Sequence, residues 1–200
     1  MYGITISRNN THDFGRVMAM LENLEIFDSS LSDLPEAPEQ FKNMKSLILS
    51  LEANISLETQ ISWIAKHPQL KYLGWFPVLS FDNRAMDDLA HRAATGAWPN
   101  LQSLHLRSTA SDKQVSCLIK GMDQGTLDLR LEKGLSQLGT LKRLKKFQFY
   151  DTPQQMSSDE VDWMIETWKY LQLVNGMLNE DYEETDRLRE RIYSAGIVAF

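Results

Sequence analysis

The sequence predicts an α/β solenoid, with parallel strands on a concave face, helices on the convex face, and irregular repeats of about 20–31 residues coiled in a horseshoe. Three observations predict it. An L-x-x-L-x-L register recurs along the chain, stretches of helical periodicity fill the gaps between its occurrences, and units of this size plus a charged tail consume all 200 residues.

The units start at Leu21, Met44, Leu70, Leu101, Leu144 and Leu171, and four of them share one pattern of flanking residues, as in His67-Pro68-Gln69-Leu70-Lys71-Tyr72-Leu73 and Trp98-Pro99-Asn100-Leu101-Gln102-Ser103-Leu104. The long gap between Leu101 and Leu144 predicts one more unit, with Gln124, Leu127 and Leu129 in its apolar slots. Met1, Ile4 and Ile6 place a further strand ahead of the first. Spacings near 20 to 29 residues are those of leucine-rich repeats, in which each unit stacks on its neighbours to bury a face it cannot bury alone.

Between the strands, helices are expected over Ile55 to Lys66, Met86 to Ala94 and Val161 to Trp168, each with apolar residues at i, i+3 and i+4 spacing. Ser157 to Glu160 reads as a capping box opening the last of these, and Pro68 and Pro99 stand where a helix has to stop. Asn179 to Ala195 reads as a closing helix, acidic in its first turns and rich in arginine later, with Gly196 as its stop. The expected organisation is therefore an array of about seven units over residues 1–178 and a capping helix and tail over 179–200. The N-terminus has no comparable polar cap, which predicts an exposed first strand or a chain that continues upstream.

Composition excludes several functions. At 42% hydrophobic and 24% charged residues the chain is ordinary globular material, with no run approaching a membrane span and no secretory signal. A soluble, cytoplasmic or nuclear protein is expected. The single cysteine, Cys117, cannot form an internal disulfide, and it reads as a small buried hydrophobe. A net charge of −6 argues against nucleic-acid binding. No nucleotide, hydrolase, metalloprotease or EF-hand motif occurs, so no enzyme and no cofactor is expected. Asp87, Asp88 and His91 share a helix face, but a solvated surface explains them better than a metal site.

The register also predicts which side chains face the concave side, because alternate residues of a strand point to opposite faces. They are Asn23, Glu25 and Phe27; Ser46, Ile48 and Ser50; Tyr72, Gly74 and Phe76; Ser103, His105 and Arg107; Thr126, Asp128 and Arg130; and Lys146, Gln148 and Tyr150. Tyr72, Phe76, His105, Arg107, Arg130, Lys146 and Tyr150 then form a basic and aromatic cluster. Aromatic and arginine side chains are the usual anchors of protein interfaces, and such a patch suits a protein partner with an acidic or phosphorylated segment.

The strand-helix units resemble the ribonuclease-inhibitor-like leucine-rich repeats of F-box-associated proteins, in particular the large irregular class of fungi. The passage from Glu160 to Trp168, then Leu171 and Val174 to Asn179 and a charged helix, is similar to the C-terminal end of such proteins. The resemblance implies a target receptor for an SCF-type ubiquitin ligase. Ser29, Glu52, Val78, Thr109 and Thr152 stand where regular repeats carry asparagine or cysteine, which implies looser turns. No F-box is visible in the residues before Leu21, so the chain is expected to bind a target and to need an upstream module to reach a ligase adaptor. The alternative is a leucine-rich-repeat regulator that activates a small GTPase or inhibits an enzyme.

Overall fold

In the computed structural model, residues 4–6, 26–31, 44–51, 55–77, 83–107, 128–150 and 154–200 are described. The architecture is α/β, built on one all-parallel sheet whose eight strands lie in chain order. They are β1 (Ile4–Ile6), β2 (Ile26–Leu31), β3 (Ser46–Leu51), β4 (Tyr72–Pro77), β5 (Ser103–Arg107), β6 (Lys146–Tyr150), β7 (Leu173–Asn175) and β8 (Val198–Ala199). Parallel neighbours require a crossover between strands. Among the described residues these crossovers contain helices α1 (Leu57–Ile64), α2 (Asn83–Ala94), α3 (Ser158–Thr167) and α4 (Tyr182–Ser194), and two short 3-10 helices, Leu131–Lys133 and Leu135–Thr140.

One backbone device repeats from strand to strand. The Lys45 carbonyl accepts the amide hydrogens of both Lys71 and Tyr72, at 2.7 and 3.0 Å. Lys71 does the same for Gln102 and Ser103, Gln102 for Lys145 and Lys146, and Lys145 for Gln172 and Leu173. Each carbonyl stands just before its strand, so the entry of every strand from β4 to β7 is pinned to the entry of the one before. In-register alignment follows, as in Ser46 with Tyr72, Tyr72 with Ser103, Ser103 with Lys146, and Lys146 with Leu173.

The same device corrects one expectation. Gln102 bonds directly to Lys145 and Lys146, and β5 pairs with β6 over its whole length, so no strand lies between them, and Asp128 to Arg130 are not in a strand. Leu129 is buried as expected, but its amide is satisfied by the Gln154 side chain at 2.7 Å instead of by a neighbouring strand. Leu129 supplies core without being part of a strand. A second correction concerns β2. Ile26 aligns with Ser46, so Phe27 registers with the core position Leu47 instead of taking the concave slot expected from a start at Leu21. Leu21, Leu24 and Ile26 fit the apolar spacing, but the observed register lies three residues later, with Ser29 level with Leu49, and a slip of three residues, being odd, exchanges the two faces of a strand. The expected positions Leu21, Asn23, Glu25, Phe41, Cys117, Gln124, Thr126 and Leu127 lie outside the described residues. The tail also contributes β8, a strand not expected from the sequence.

From β3 to β6 the helix-side face of the sheet carries apolar side chains. Leu47 and Leu49, Leu73 and Trp75, Leu104 and Leu106, and Phe147 and Phe149 are all buried, two per strand in the same slots. Burying a large aliphatic or aromatic side chain contributes about 1.5–3 kcal/mol, so these stacked pairs are the principal favourable term in the assembly. Buried indoles stitch units together: Trp75 donates to the Gln60 side chain of α1 at 2.8 Å, Trp98 to the carbonyl of Ile64 at 3.2 Å, and Trp168 to that of Leu138 at 3.4 Å. Trp98 and Trp168 occupy the same slot before a strand, and each reaches back to a carbonyl in the preceding crossover.

Local signals explain the helix ends. Ser157 and Glu160 make the expected capping box on α3, with the Ser157 amide bonded to Glu160 at 2.8 Å. The other oxygen of Glu160 accepts from the amide of Leu131 at 3.3 Å, so this buried carboxylate also ties α3 to the 3-10 segment. Burial would raise its carboxyl, yet the hydrogen bonds from Ser157 and Leu131 outweigh burial and hold it below the usual glutamate value. Asp181 caps α4, and Gly196, at φ +79°, takes the left-handed turn that ends it. Arg191 of α4 grips Asp162 of α3, with one of its two bonds at 2.6 Å.

Trp98→Phe, which keeps a ring but removes the indole's bond to the Ile64 carbonyl and leaves that oxygen the His67 amide, is expected to lower unfolding free energy by about 0.5–1.5 kcal/mol in urea titration. Because the Glu160 carboxyl is depressed in the fold, the stability it confers is present above its unfolded value near 4.5 and lost as pH falls below it. The acid limb of a thermal-melt series should therefore flatten in Glu160→Gln relative to wild type.

Candidate functional site

The face of the sheet opposite the helices is where polar and aromatic side chains gather. Backbone pairing places Tyr72, Ser103 and Lys146 in one row, Gly74, His105 and Gln148 in the next, and Arg107 beside Tyr150 in a third. Four of the seven residues singled out from the sequence pack together here. The His105 ring stands edge-on between Phe76 and Tyr150, with centroids 4.8 Å away on both sides. The Tyr72 hydroxyl lies 3.4 Å from His105 Nδ1, a long hydrogen bond. All four side chains are half-buried, and their rings pack on one another.

Neighbours hold this platform in place. Gln148 Nε2 donates to the Tyr150 hydroxyl at 3.1 Å, and Asn175 Nδ2 donates to the same oxygen at 2.5 Å. Gly74 provides the room: a Cβ there would stand 3.3 Å from Cζ of Phe76 and 3.4 Å from Cε1 of Tyr72. Two buried polar atoms on the same face of β5, Ser103 Oγ and His105 Nε2, have no hydrogen-bond partner among the described residues. Unsatisfied buried groups are few in native proteins, and two on one face of one strand mark it out from the rest of the sheet.

Charge brackets the rings. Arg107 ends β5 and Lys146 begins β6; both are exposed, and with Lys146 aligned to Ser103 they stand about 13 Å apart along the strands at ~3.3 Å per residue. Arg130 does not join them. It lies between Leu129 and the first 3-10 helix, and its guanidinium is held by Asp128, with Nη2 to Oδ2 at 2.6 Å, and by Glu132 at 3.4 Å. The expectation that Asp128 and Arg130 line the concave face fails because no strand forms there. The basic component of the patch is thus two cations at opposite ends of an aromatic centre.

Burial lowers the pKa of His105, and the nearby Arg107 charge lowers it further; burial and then Tyr150 raise that of Tyr72. At neutral pH the platform therefore carries an uncharged imidazole beside the protonated Tyr72 phenol. Such an arrangement can recognise a partner through ring surfaces and hydroxyl groups. Asn175 was not reached by sequence reasoning, although extending the alternation rule to the unit starting at Leu171 would have found it.

Elsewhere, a groove of about 470 Å³ lies between α2, the 3-10 helix Leu135–Thr140 and α3, with Lys142 and Trp163 in its wall. Two of its hydroxyls are already spent, Ser136 on the Leu131 carbonyl and Thr140 on that of Gln137. Of the trio Asp87, Asp88 and His91, all exposed, Asp87 accepts from Gln137 at 3.5 Å, and among the described residues no group of three is placed to hold a metal ion. No described helix is long and apolar enough to cross a membrane.

No family model matches the chain, and no curated protein matches it. Among solved structures it is similar to a structural-genomics protein from Bacteroides fragilis, at 12% identity over 99% of this chain and 72% of that one, with a TM-score of 0.34. A likeness of that size leaves the fold resting on the sheet's own hydrogen bonding.

Gly74→Ala should displace the Tyr72 and Phe76 rings by a few tenths of an ångström and cost about 1–3 kcal/mol as overpacking. Aromatic NMR shifts of Tyr72 and Phe76 together with a denaturation midpoint check this, and unchanged shifts would contradict the packing described.

Proposed function

We propose that the chain is a non-enzymatic protein-interaction scaffold, a leucine-rich-repeat solenoid whose concave face binds a protein partner through Tyr72, Phe76, His105 and Tyr150, with Arg107 and Lys146 at the margins. The observation that carries this reading is the half-buried ring cluster on the face of β4 to β6 opposite the described helices. Interface anchors are typically aromatic or arginine side chains in a tightly packed centre surrounded by polar groups, and the cluster has that layout. Strands in chain order with a shared register support the repeat reading. The resemblance to fungal F-box-associated repeats makes the partner a target protein presented to a ubiquitin ligase, with an acidic segment suited to the flanking cations.

Affinity purification followed by mass spectrometry tests the assignment. Tyr150→Ala combined with Arg107→Glu should lose at least tenfold of the principal partner's recovery, whereas Arg130→Ala, off the sheet, should leave it unchanged. An identical partner set for all three proteins contradicts the site. The ligase role requires the adaptor subunit to co-purify with the intact gene product.

A further inference from the structure

The clustering of His105 with three other rings bears on how this face is regulated, given its reading as an interface. His105 is enclosed on all sides that the sheet provides. Phe76 and Tyr150 flank its ring at 4.8 Å, Tyr72 meets Nδ1, and Nε2 is buried with no hydrogen-bond partner among the described residues. The cavity suits a neutral ring. An imidazolium carries a charge and two N–H donors: Nδ1 would have to donate to the Tyr72 hydroxyl, whichever way that bond runs for the neutral ring, and Nε2 would be a buried N–H of a charged ring with no acceptor among the described residues.

We propose that His105 makes this face proton-sensitive: the platform of Tyr72, Phe76 and Tyr150 is assembled only while His105 is neutral, and it comes apart when the imidazole takes up a proton.

The titratable and charged groups facing His105, among the described residues, are Tyr72 from β4, Tyr150 from β6 and Arg107 on β5 itself; Gly74 and Gln148, its partners in register, carry no charge. None supplies a negative charge to hold an imidazolium. Arg107 opposes one. The sign follows: the neutral form is favoured in the fold, so the stabilising contribution is complete above the ordinary histidine value near 6.5 and is lost as pH falls below it. This window lies above the range in which Asp128, Glu160 and Asp162, all depressed, take up protons. A partner seated on the rings would be held at neutral pH and loosened in a mildly acidic compartment.

The test uses the protein alone, so its outcome does not depend on finding the partner. Imidazole resonances and aromatic shifts are followed by NMR from pH 7.5 to 5.0, with thermal melts in parallel, for wild type, His105→Phe and His105→Gln. The proposal expects His105 to titrate below the ordinary value and the Tyr72 and Tyr150 ring signals to move with it. It also expects the wild-type Tm to fall by about 2–4 °C more across this range than that of either variant. His67 and His91 are present in all three proteins, so the difference isolates His105. Titration of His105 at or above the ordinary value, ring signals that do not follow it, or identical pH dependence in all three proteins would each overturn the proposal. If instead the pH response appears but the Tyr150→Ala, Arg107→Glu protein retains every partner, the interface reading fails and the proton sensitivity stands.

Discussion

One carbonyl per unit, standing just before its strand and accepting two amide hydrogens from the next, is the constraint on which the rest of the sheet depends. Lys45, Lys71, Gln102 and Lys145 each serve this role. Because every strand from β4 to β7 enters at the same point, its second and fourth residues, where the strand is long enough, fall into the same slots. Those slots hold the buried pairs from Leu73 and Trp75 to Phe147 and Phe149. A slip of one residue anywhere would turn an apolar pair outward and bury its polar neighbours, so packing and hydrogen bonding reinforce a single register.

The same constraint generates the functional face. Once the inward slots are fixed, the outward ones are fixed too, and Tyr72, Phe76, His105 and Tyr150 come together from three strands far apart in sequence. Sheet geometry alone brings them within reach; Gly74 leaves space for the rings, and Gln148 and Asn175 orient the Tyr150 hydroxyl. The segment at 128–140, which interrupts the regular alternation of strand and helix, is secured by side chains instead of a ladder. Gln154 and Glu160 take its amides, and Asp128 takes its arginine. This is how a crossover of irregular length can be inserted without disturbing the strands on either side.

Much of this was legible in the sequence because two periodicities coincide: alternation in the strands, and the i, i+3, i+4 pattern in helices whose ends carry explicit signals such as Ser157 to Glu160 and Gly196. The failures have physical causes. Leu127 and Leu129 satisfy the spacing of a strand, but spacing cannot tell an apolar residue that enters the core from a ladder from one that enters it from a loop. Leu21, Leu24 and Ile26 offer the repeat spacing, yet pairing with β3 sets the register three residues later, where the polar Ser29 stands level with Leu49. Arg130 was drawn into the candidate cluster by the first of these ambiguities. The space left by Gly74 and the enclosure of His105 could not be read at all, since they depend on the rotamers of neighbouring rings.

The central claim is that β5 lies directly against β6, which seats His105 between Phe76 and Tyr150. Nuclear Overhauser effects measure this most directly. Cross-peaks from the His105 imidazole protons to the rings of both Phe76 and Tyr150, with backbone amide and α-proton cross-peaks joining His105 to the stretch around Gln148, are the predicted result. Interstrand cross-peaks from β5 to residues 126–130 in place of β6 would contradict the account.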